Sequence, residues 1–285
     1  MMIRRCVSRL AVLGVVLVFP LASAAQPGGA SGGRSEVSLV AESDALVPGE
    51  TAMLGLRFEV PDAWHIYQPS QNDTGLEPMA EWASDGGLSF GSIRWPAGHR
   101  FTQPGEILDH GYEGTVLLVI PVEVPSSLDV GSTVSVSASV DWLECDAELC
   151  VPGSADVSIE LPVRGSAERG PQAAAFDAAE KAMGSLLGGD GSDPVTIAWD
   201  EQTMVVTAAA GPALHLSFVP AEGCSRIEGL FDAGASATGE LRLRFEDVEG
   251  DVVGWIRVSE GGSGGNAKSD ASGVWRVRTR IGGGS

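Results

Sequence analysis

Cys145 and Cys150 are the residues of this sequence best placed to do chemistry together. Four residues separate them, and Asp146 can start the turn that would bring the two sulfurs close. The two thiols could form an exchangeable disulfide, a structural disulfide or part of a metal site. A six-residue ring stabilises a fold by only about 2 kcal/mol in the loop-entropy model, and a short ring can be strained and therefore reducible. A metal site is less favoured, because the motif contains no histidine.

The cysteines are flanked by carboxylates at Glu144, Asp146 and Glu148. Nearby negative charge disfavours a thiolate, so we expect the pKa values of the two thiols to be raised. The reduced pair should then react slowly with small oxidants. Its reactivity should depend on a partner that brings a positive or apolar surface.

The N-terminus predicts export from the cytoplasm. Arg4, Arg5 and Arg9 precede the apolar run Leu10–Leu21, and small residues follow it, as in a secretory signal peptide. We assign residues 1–25 to this peptide. After cleavage we expect a periplasmic or otherwise extracytoplasmic protein that does not insert directly into a membrane. Disulfides persist in extracytoplasmic compartments because these are oxidising.

Composition disfavours several other functions. A formal net charge of −20 argues against nucleic-acid binding, whose affinity comes mainly from cations on the protein. The sequence shows neither a Gly-x-Ser-x-Gly nucleophile elbow between a strand and a helix nor the His-Glu-x-x-His motif of common hydrolases, and its four histidines are scattered. Cys224 is left over once Cys6 departs with the signal peptide, and we expect it to be a buried free thiol.

The elements around the cysteine pair are predicted to be strands. Val134, Val136, Ala138 and Val140 alternate with serines, which is typical of a strand with one buried face. Candidate strands in this region are Val37 to Ala41, Thr51 to Val60, Met79 to Trp82, Leu88 to Trp95, Thr115 to Val124, Thr133 to Trp142 and Asp156 to Pro162. Their number and spacing favour an immunoglobulin-like β-sandwich.

A change of periodicity divides the chain. Apolar residues recur at helical spacing between Pro171 and Leu187, and a shorter β-rich region follows. The predicted fold is therefore mainly β: an immunoglobulin-like β-sandwich, a connecting helix and a second, smaller β-rich domain. The predicted domain bounds are a flexible lead-in at 26–35, the sandwich at 36–165, the helical linker at 166–193 and the second domain at 194–285.

Residues Glu36 to Val163 resemble the N-terminal domain of the thiol:disulfide interchange protein DsbD and its relatives. The most specific part is Asp141-Trp142-Leu143-Glu144-Cys145 followed by Cys150-Val151-Pro152 and, after an alternating strand, Leu161-Pro162-Val163. Supporting matches are Asp62-Ala63-Trp64-His65-Ile66-Tyr67, Asp73-Thr74-Gly75-Leu76, Ile93-Arg94-Trp95-Pro96, and Gly111-Tyr112-Glu113-Gly114 before the apolar strand that reaches Pro121-Val122.

The resemblance implies a site as well as a fold. Its cysteines lie on neighbouring strand ends under a cap loop, which would be near Leu108–Tyr112 and include Asp109, His110 and Tyr112. Tyr67 and His65 would lie on the strand facing the pair. By the same resemblance Cys150 forms the mixed disulfide with a partner and Cys145 resolves it.

The resemblance also implies partners and needs no cofactor, because sulfur itself carries the electrons. Well-known members of the family continue into a membrane domain and a thioredoxin-like domain, neither of which occurs in this sequence. We therefore expect a separate membrane thiol reductase, and periplasmic thioredoxin-like proteins as partners. The alternative hypothesis is a non-catalytic cell-envelope β-sandwich, a binding or scaffold module with a structural disulfide.

Overall fold

The computed structural model describes residues 34–188, 193–209, 214–260 and 273–282. The strands between residues 36 and 162 are β1 (Glu36–Ala41), β2 (Thr51–Val60), β3 (His65–Tyr67), β4 (Met79–Ser84), β5 (Ser89–Phe90), β6 (His99–Gln103), β7 (Ile107–Tyr112), β8 (Gly114–Glu123), β9 (Thr133–Cys145) and β10 (Cys150–Pro162). The predicted signal peptide and residues 26–33 of the predicted lead-in lie outside the described residues.

These strands form two sheets that face each other. One sheet has the order β1-β2-β8-β5, and the other has the order β10-β9-β3-β7-β6 with β4 paired to β9. Buried side chains from both sheets make one hydrophobic core, in which Phe58 packs edge-on against Trp142. Strand β9 buries alternate residues, as its valine–serine alternation predicts.

A helix and a second β-rich region follow. Their elements are α1 (Ala173–Ala182), β11 (Ser185–Leu186), β12 (Val195–Asp200), β13 (Thr203–Ala208), β14 (Leu214–Pro220), α2 (Leu230–Ala233), β15 (Ala235–Ser236), β16 (Glu240–Arg244), β17 (Asp251–Glu260) and β18 (Gly273–Arg280). Helix α1 is shorter than predicted, because Gly184 adopts a positive φ of 71° just after it and the chain turns into β11. Its Phe176 and Ala179 pack on the outer face of β8.

The C-terminal strands form a five-stranded sheet, β11-β18-β17-β14-β15, and a three-stranded sheet, β12-β13-β16. A second hydrophobic core lies between them and also includes Leu108 of strand β7. The predicted fold class is confirmed: mainly β, with an immunoglobulin-like sandwich, a connecting helix and a smaller β-rich region. No helix in the described ranges is long and apolar enough to cross a membrane.

Candidate functional site

The cysteine pair closes the hairpin formed by β9 and β10. Cys145 ends β9, Cys150 begins β10, and the two residues lie directly opposite each other. Their sulfurs are bonded at 2.01 Å and their Cα atoms are 4.1 Å apart. Asp146 holds the turn between them: its Oδ1 accepts hydrogen bonds of 2.8 Å from the backbone N–H groups of Glu148 and Leu149. These bonds lower the pKa of Asp146 from its ordinary value, and the predicted turn is confirmed.

The disulfide lies on the outer face of the sandwich. Because side chains alternate along a strand, Trp142 enters the core while Cys145 projects from the opposite face of β9. The two cysteines are unequally exposed: Cys145 is fully buried, whereas Cys150 is exposed. A thiol approaching from solvent therefore reaches Cys150 first.

Tyr67 covers Cys145. Strand β3 lies between β9 and β7, and its residue His65 is in register with Cys145. Two residues further on, the Tyr67 hydroxyl donates a hydrogen bond of 2.8 Å to the Cys145 sulfur and lies 4.0 Å from the Cys150 sulfur. Burial raises the pKa of Tyr67 to about 12, so the hydroxyl stays protonated and available as a donor near neutral pH.

A chain of hydrogen bonds connects Tyr67 to Asp109. Thr74 donates its hydroxyl proton to Asp109 Oδ2 over 2.6 Å, so the Thr74 oxygen can only accept from the Tyr67 hydroxyl, 3.1 Å away. The single Tyr67 proton thus faces two acceptors, the Thr74 oxygen and the Cys145 sulfur. The backbone N–H groups of Asp73 and Thr74 donate to Asp109 Oδ1, each over 3.0 Å, which fixes this part of the loop.

Two glycines allow the close packing around Tyr67. A Cβ on Gly75 would lie 2.0 Å from Cζ of the Tyr67 ring, so the backbone at Gly75 rests directly on the ring. A Cβ on Gly111, which pairs with Tyr67 from strand β7, would lie 1.8 Å from the Ile66 carbonyl oxygen. Larger residues at either position would displace Tyr67 or the strand that carries it.

His65 forms an aromatic wall beside the disulfide. Its ring stacks on Phe101 with centroids 4.4 Å apart and meets Tyr67 edge-on at 5.1 Å. Burial lowers the pKa of His65, although the charges of Asp109 and Asp146 oppose this shift. The ring is therefore neutral at pH 7, and its Nε2 has no hydrogen-bond partner among the described residues.

The expected cap near Leu108–Tyr112 needs correction. This segment belongs to strand β7, which pairs with β6 over residues 107–111 and with β3 at Gly111 and Tyr112, and is not a loop above the cysteines. Because side chains alternate along a strand, only Asp109 reaches the Tyr67 network. His110 and Tyr112 face away from it: the Tyr112 hydroxyl donates to the Pro96 carbonyl over 2.8 Å, and Tyr112 packs in the sandwich core.

His110 is fully buried beside Arg100, and burial lowers its pKa to about 3. Neither of its ring nitrogens has a hydrogen-bond partner in the described part of the chain. The cover over Tyr67 instead comes from Thr74 and Gly75, neither of which was predicted to belong to the site. The Asp73-Thr74-Gly75-Leu76 motif was the available signal, because it belongs to the family resemblance and follows Tyr67 closely.

Glu144 also differs from expectation. It is fully buried on the face opposite Cys145, where its carboxylate accepts hydrogen bonds from the backbone N–H groups of Arg34 and Ser35. Ser35 is itself buried, so the last residues of the predicted flexible lead-in are held in place. Of the three carboxylates flanking the pair in sequence, Asp146 and Glu148 remain in the turn beside the sulfurs.

Two exposed apolar side chains are next in sequence to residues of the site. Leu149 precedes Cys150 and is 50% exposed, and Leu76 follows Gly75 and is 70% exposed. Cys224 lies in the C-terminal region as a partly exposed free cysteine. Burial of its thiol raises the pKa to about 11, which makes it a poor nucleophile near neutral pH.

Comparison with known proteins relates residues 36–162 to a known domain family. The family model described as "Thiol:disulfide interchange protein DsbD, N-terminal" matches residues 36–162. The structure is similar to the N-terminal periplasmic domain of ScsB from Proteus mirabilis, with a TM-score of 0.51 and 15% sequence identity over 88% of this chain and 94% of that one.

Two chaperone structures, the periplasmic chaperone SfaE and the YadV chaperone, are also similar at a low level. SfaE covers 84% of this chain and YadV covers 85%, each over 98% of its own chain, at 8% and 9% identity. Their TM-scores of 0.22 are too low to support an argument. The search of curated proteins found no match. Residues 36–162 therefore form a DsbD N-terminal-like domain, with the Cys145–Cys150 disulfide at the end of its β9–β10 hairpin.

Proposed function

We propose that this protein is a periplasmic thiol-disulfide exchange module that passes reducing equivalents from a membrane thiol reductase to partner proteins through Cys145 and Cys150. The observation that carries the proposal is the asymmetry of the disulfide. Cys150 is exposed to an incoming thiolate, while Cys145 is buried against the hydroxyl of Tyr67. A disulfide that serves only as a staple has no need of a hydrogen-bond donor aimed at one sulfur.

The first half-reaction reduces the pair. A thiolate of the electron donor attacks the Cys150 sulfur, a new S–S bond forms, and the Cys145–Cys150 bond breaks. Cys145 leaves with the electron pair as a thiolate, which the Tyr67 hydroxyl stabilises by a charge-assisted hydrogen bond. A second thiolate of the electron-donor protein then attacks the donor sulfur that is bonded to Cys150. This releases the Cys150 thiolate and leaves the electron-donor protein with a disulfide.

The second half-reaction passes the electrons on. The Cys150 thiolate attacks a disulfide of the partner, and one partner sulfur leaves as a thiolate that takes up a proton from water. Cys145 then attacks Cys150 in the mixed disulfide, the Cys145–Cys150 bond re-forms, and the second partner sulfur leaves and is protonated. Two electrons and two protons have then reached the partner, so the sulfur chemistry is complete without a cofactor or a metal.

The surface around Cys150 indicates the kind of partner. Leu76 and Leu149 offer apolar area, while Asp146 and Glu148 place negative charge beside the sulfurs. Such charge disfavours the Cys150 thiolate in water, and a partner with an apolar and basic surface would relieve this effect on docking. Thioredoxin-like periplasmic proteins are the proposed partners.

The test is a pair of variants of the mature protein, Cys145→Ser and Cys150→Ser, each also carrying Cys224→Ser so that only one thiol remains. Each reacts with a thioredoxin-like protein whose one remaining active-site cysteine carries thionitrobenzoate as a mixed disulfide. Attack by the variant's thiol releases coloured thionitrobenzoate and leaves a covalent complex. We expect Cys145→Ser to react at least about tenfold faster than Cys150→Ser, because only Cys150 is exposed.

The two variants are matched in composition and each loses the disulfide, so a difference in rate reports the position of the remaining sulfur. Equal rates for both folded variants would contradict the assignment of Cys150 as the attacking thiol. Failure of both folded variants to form any covalent complex would contradict the proposed function.

A further inference from the structure

We propose that the C-terminal β-rich region takes part in the thiol chemistry, with Gln71 as the positioning residue that transmits its effect to Tyr67. The inference rests on the proposed function, and it assigns a role to contacts about 150 residues apart in sequence. The contacts converge on residues 68–72, named here the anchor segment, which leave strand β3 directly after Tyr67.

Gln71 makes the most complete contact of the anchor segment. Its Nε2 donates to the backbone carbonyls of Cys224 over 3.3 Å and of Ser225 over 2.9 Å. Its Oε1 accepts from the backbone N–H of Ile227 over 3.2 Å. Both N–H groups and the carbonyl of this one amide are thus engaged by a single loop of the C-terminal region.

Neighbouring side chains strengthen the same attachment. The Ser70 hydroxyl donates to the Pro220 carbonyl over 2.7 Å, and Gln68 Nε2 donates to the same carbonyl over 3.3 Å. Gln68 is fully buried, and its Oε1 accepts from the backbone N–H of Gly98 over 2.7 Å. The anchor segment therefore has little freedom to move independently of the C-terminal region.

The β6–β7 hairpin is held in a similar way. The Arg100 guanidinium donates to the backbone carbonyls of Leu230 and Phe231, the latter over 2.9 Å. Leu108 is part of the C-terminal hydrophobic core. The face of the hairpin opposite these contacts carries Asp109 and Phe101, which belong to the disulfide site. The C-terminal region thus packs on one face of the β6–β7 hairpin, and Asp109 on the opposite face bonds to the Tyr67 network.

A continuous set of contacts leads from Gln71 to Cys145. The next residue, Asn72, accepts from the backbone N–H of His110 over 2.8 Å. Asp73 and Thr74 are then bonded to Asp109, and Gly75 rests on the Tyr67 ring. If the anchor segment shifted, Thr74 and Gly75 would shift with it, and the Tyr67 hydroxyl would lose its alignment with the sulfur.

The test compares Gln71→Met with Gln172→Met in the full mature protein. Methionine keeps the length of the glutamine side chain and removes all of its hydrogen bonds. Gln172 is the matched control, since it precedes helix α1 and its side chain makes no capping hydrogen bond. The measurements are the rate of reduction of the disulfide by a thioredoxin-like dithiol protein and the hydrogen exchange of amides 72–75.

We expect Gln71→Met to slow reduction about threefold or more and to speed hydrogen exchange in residues 72–75, with the rest of the sandwich unchanged. Gln172→Met should change neither. The decisive control is a double variant with Tyr67→Phe: if Gln71 acts through Tyr67, Gln71→Met should cause no further slowing in that background.

The possible failures are distinct. If the wild-type disulfide is not reduced at all, the proposed function fails. If the wild type reacts and Gln71→Met reacts equally fast, or if it slows reduction equally with Phe at position 67, the inference is wrong. Faster hydrogen exchange across the whole sandwich would indicate a merely structural role and would also overturn it. If Gln71→Met does not fold, Ser70→Ala replaces it, because it removes the hydrogen bond from the Ser70 hydroxyl to the Pro220 carbonyl. The same reduction rate, hydrogen exchange and Tyr67→Phe double variant then test the inference.

Discussion

Replacing Tyr67 with phenylalanine removes one hydroxyl from the site and leaves the ring that packs against Gly75 and His65. That hydroxyl donates to the Cys145 sulfur over 2.8 Å. In the proposed exchange a dithiol attacks Cys150 and Cys145 becomes a thiolate. A hydrogen bond to a charged group contributes roughly 1.5–3 kcal/mol. In the disulfide state the Tyr67 proton is shared between the Thr74 oxygen and the Cys145 sulfur. Most of the hydrogen-bond energy to Cys145 therefore develops as the Cys145–Cys150 bond breaks.

A loss of about 2 kcal/mol at the transition state corresponds to a rate about 30-fold lower. We therefore expect Tyr67→Phe to be reduced about 10- to 30-fold more slowly by a thioredoxin-like dithiol protein, measured by stopped flow at pH 7. The matched control is Tyr112→Phe, which also loses one hydroxyl hydrogen bond, to the Pro96 carbonyl, on the other face of the sheet. An unchanged rate in Tyr67→Phe, or equal slowing in Tyr112→Phe, would refute the role given to the Tyr67 hydroxyl.

Three further predictions concern the surroundings of the site. Gly75→Ala should slow the same reduction, because a Cβ 2.0 Å from Cζ of the Tyr67 ring would displace the ring or the backbone that rests on it; a normal rate would count against this packing. Glu144→Gln should lower the free energy of unfolding by about 2 kcal/mol in urea titrations, because the buried carboxylate loses charge-assisted hydrogen bonds; unchanged stability would contradict this. His110 has a folded-state pKa of about 3, below its ordinary value of 6.5, so the unfolded chain takes up the proton first as the pH falls. The free energy of unfolding should therefore be unaffected by protonation of His110 above pH 6.5 and should fall by up to about 1.4 kcal/mol per pH unit between pH 6.5 and pH 3. His110→Leu should flatten this pH dependence in urea titrations from pH 7 to 4. An unchanged slope would contradict the conclusion that His110 is buried in its neutral form.

Several features of the site could be predicted from local sequence. The valine–serine alternation in Thr133–Cys145 indicated a strand with one buried face, and Asp146 indicated the turn after it. Both depend on interactions between residues close in sequence, namely side-chain alternation and an Asp side chain that bonds its own turn. The family resemblance then added the assignment of Tyr67 and Asp109 to the neighbourhood of the cysteines.

Other features depend on contacts between distant residues and left no local signal. No strand was predicted between His99 and Tyr112, because β6 and β7 are stabilised partly by the C-terminal region rather than by a regular apolar alternation. The same strand alternation that was used for β9 would have separated Asp109 from His110 and Tyr112 had β7 been recognised. Glu144 was placed near the sulfurs by sequence proximity alone, although it is bonded to Ser35 on the opposite face.

The reduction potential of the Cys145–Cys150 disulfide, measured by equilibration of the wild-type protein lacking residues 1–25 with glutathione redox buffers, tests most directly whether this bond exchanges electrons. We predict a value in the range of thioredoxin to protein disulfide isomerase, about −270 to −180 mV. A value below about −300 mV, typical of structural disulfides that resist reduction, would contradict the exchange function and favour a scaffold in which the bond is only a staple.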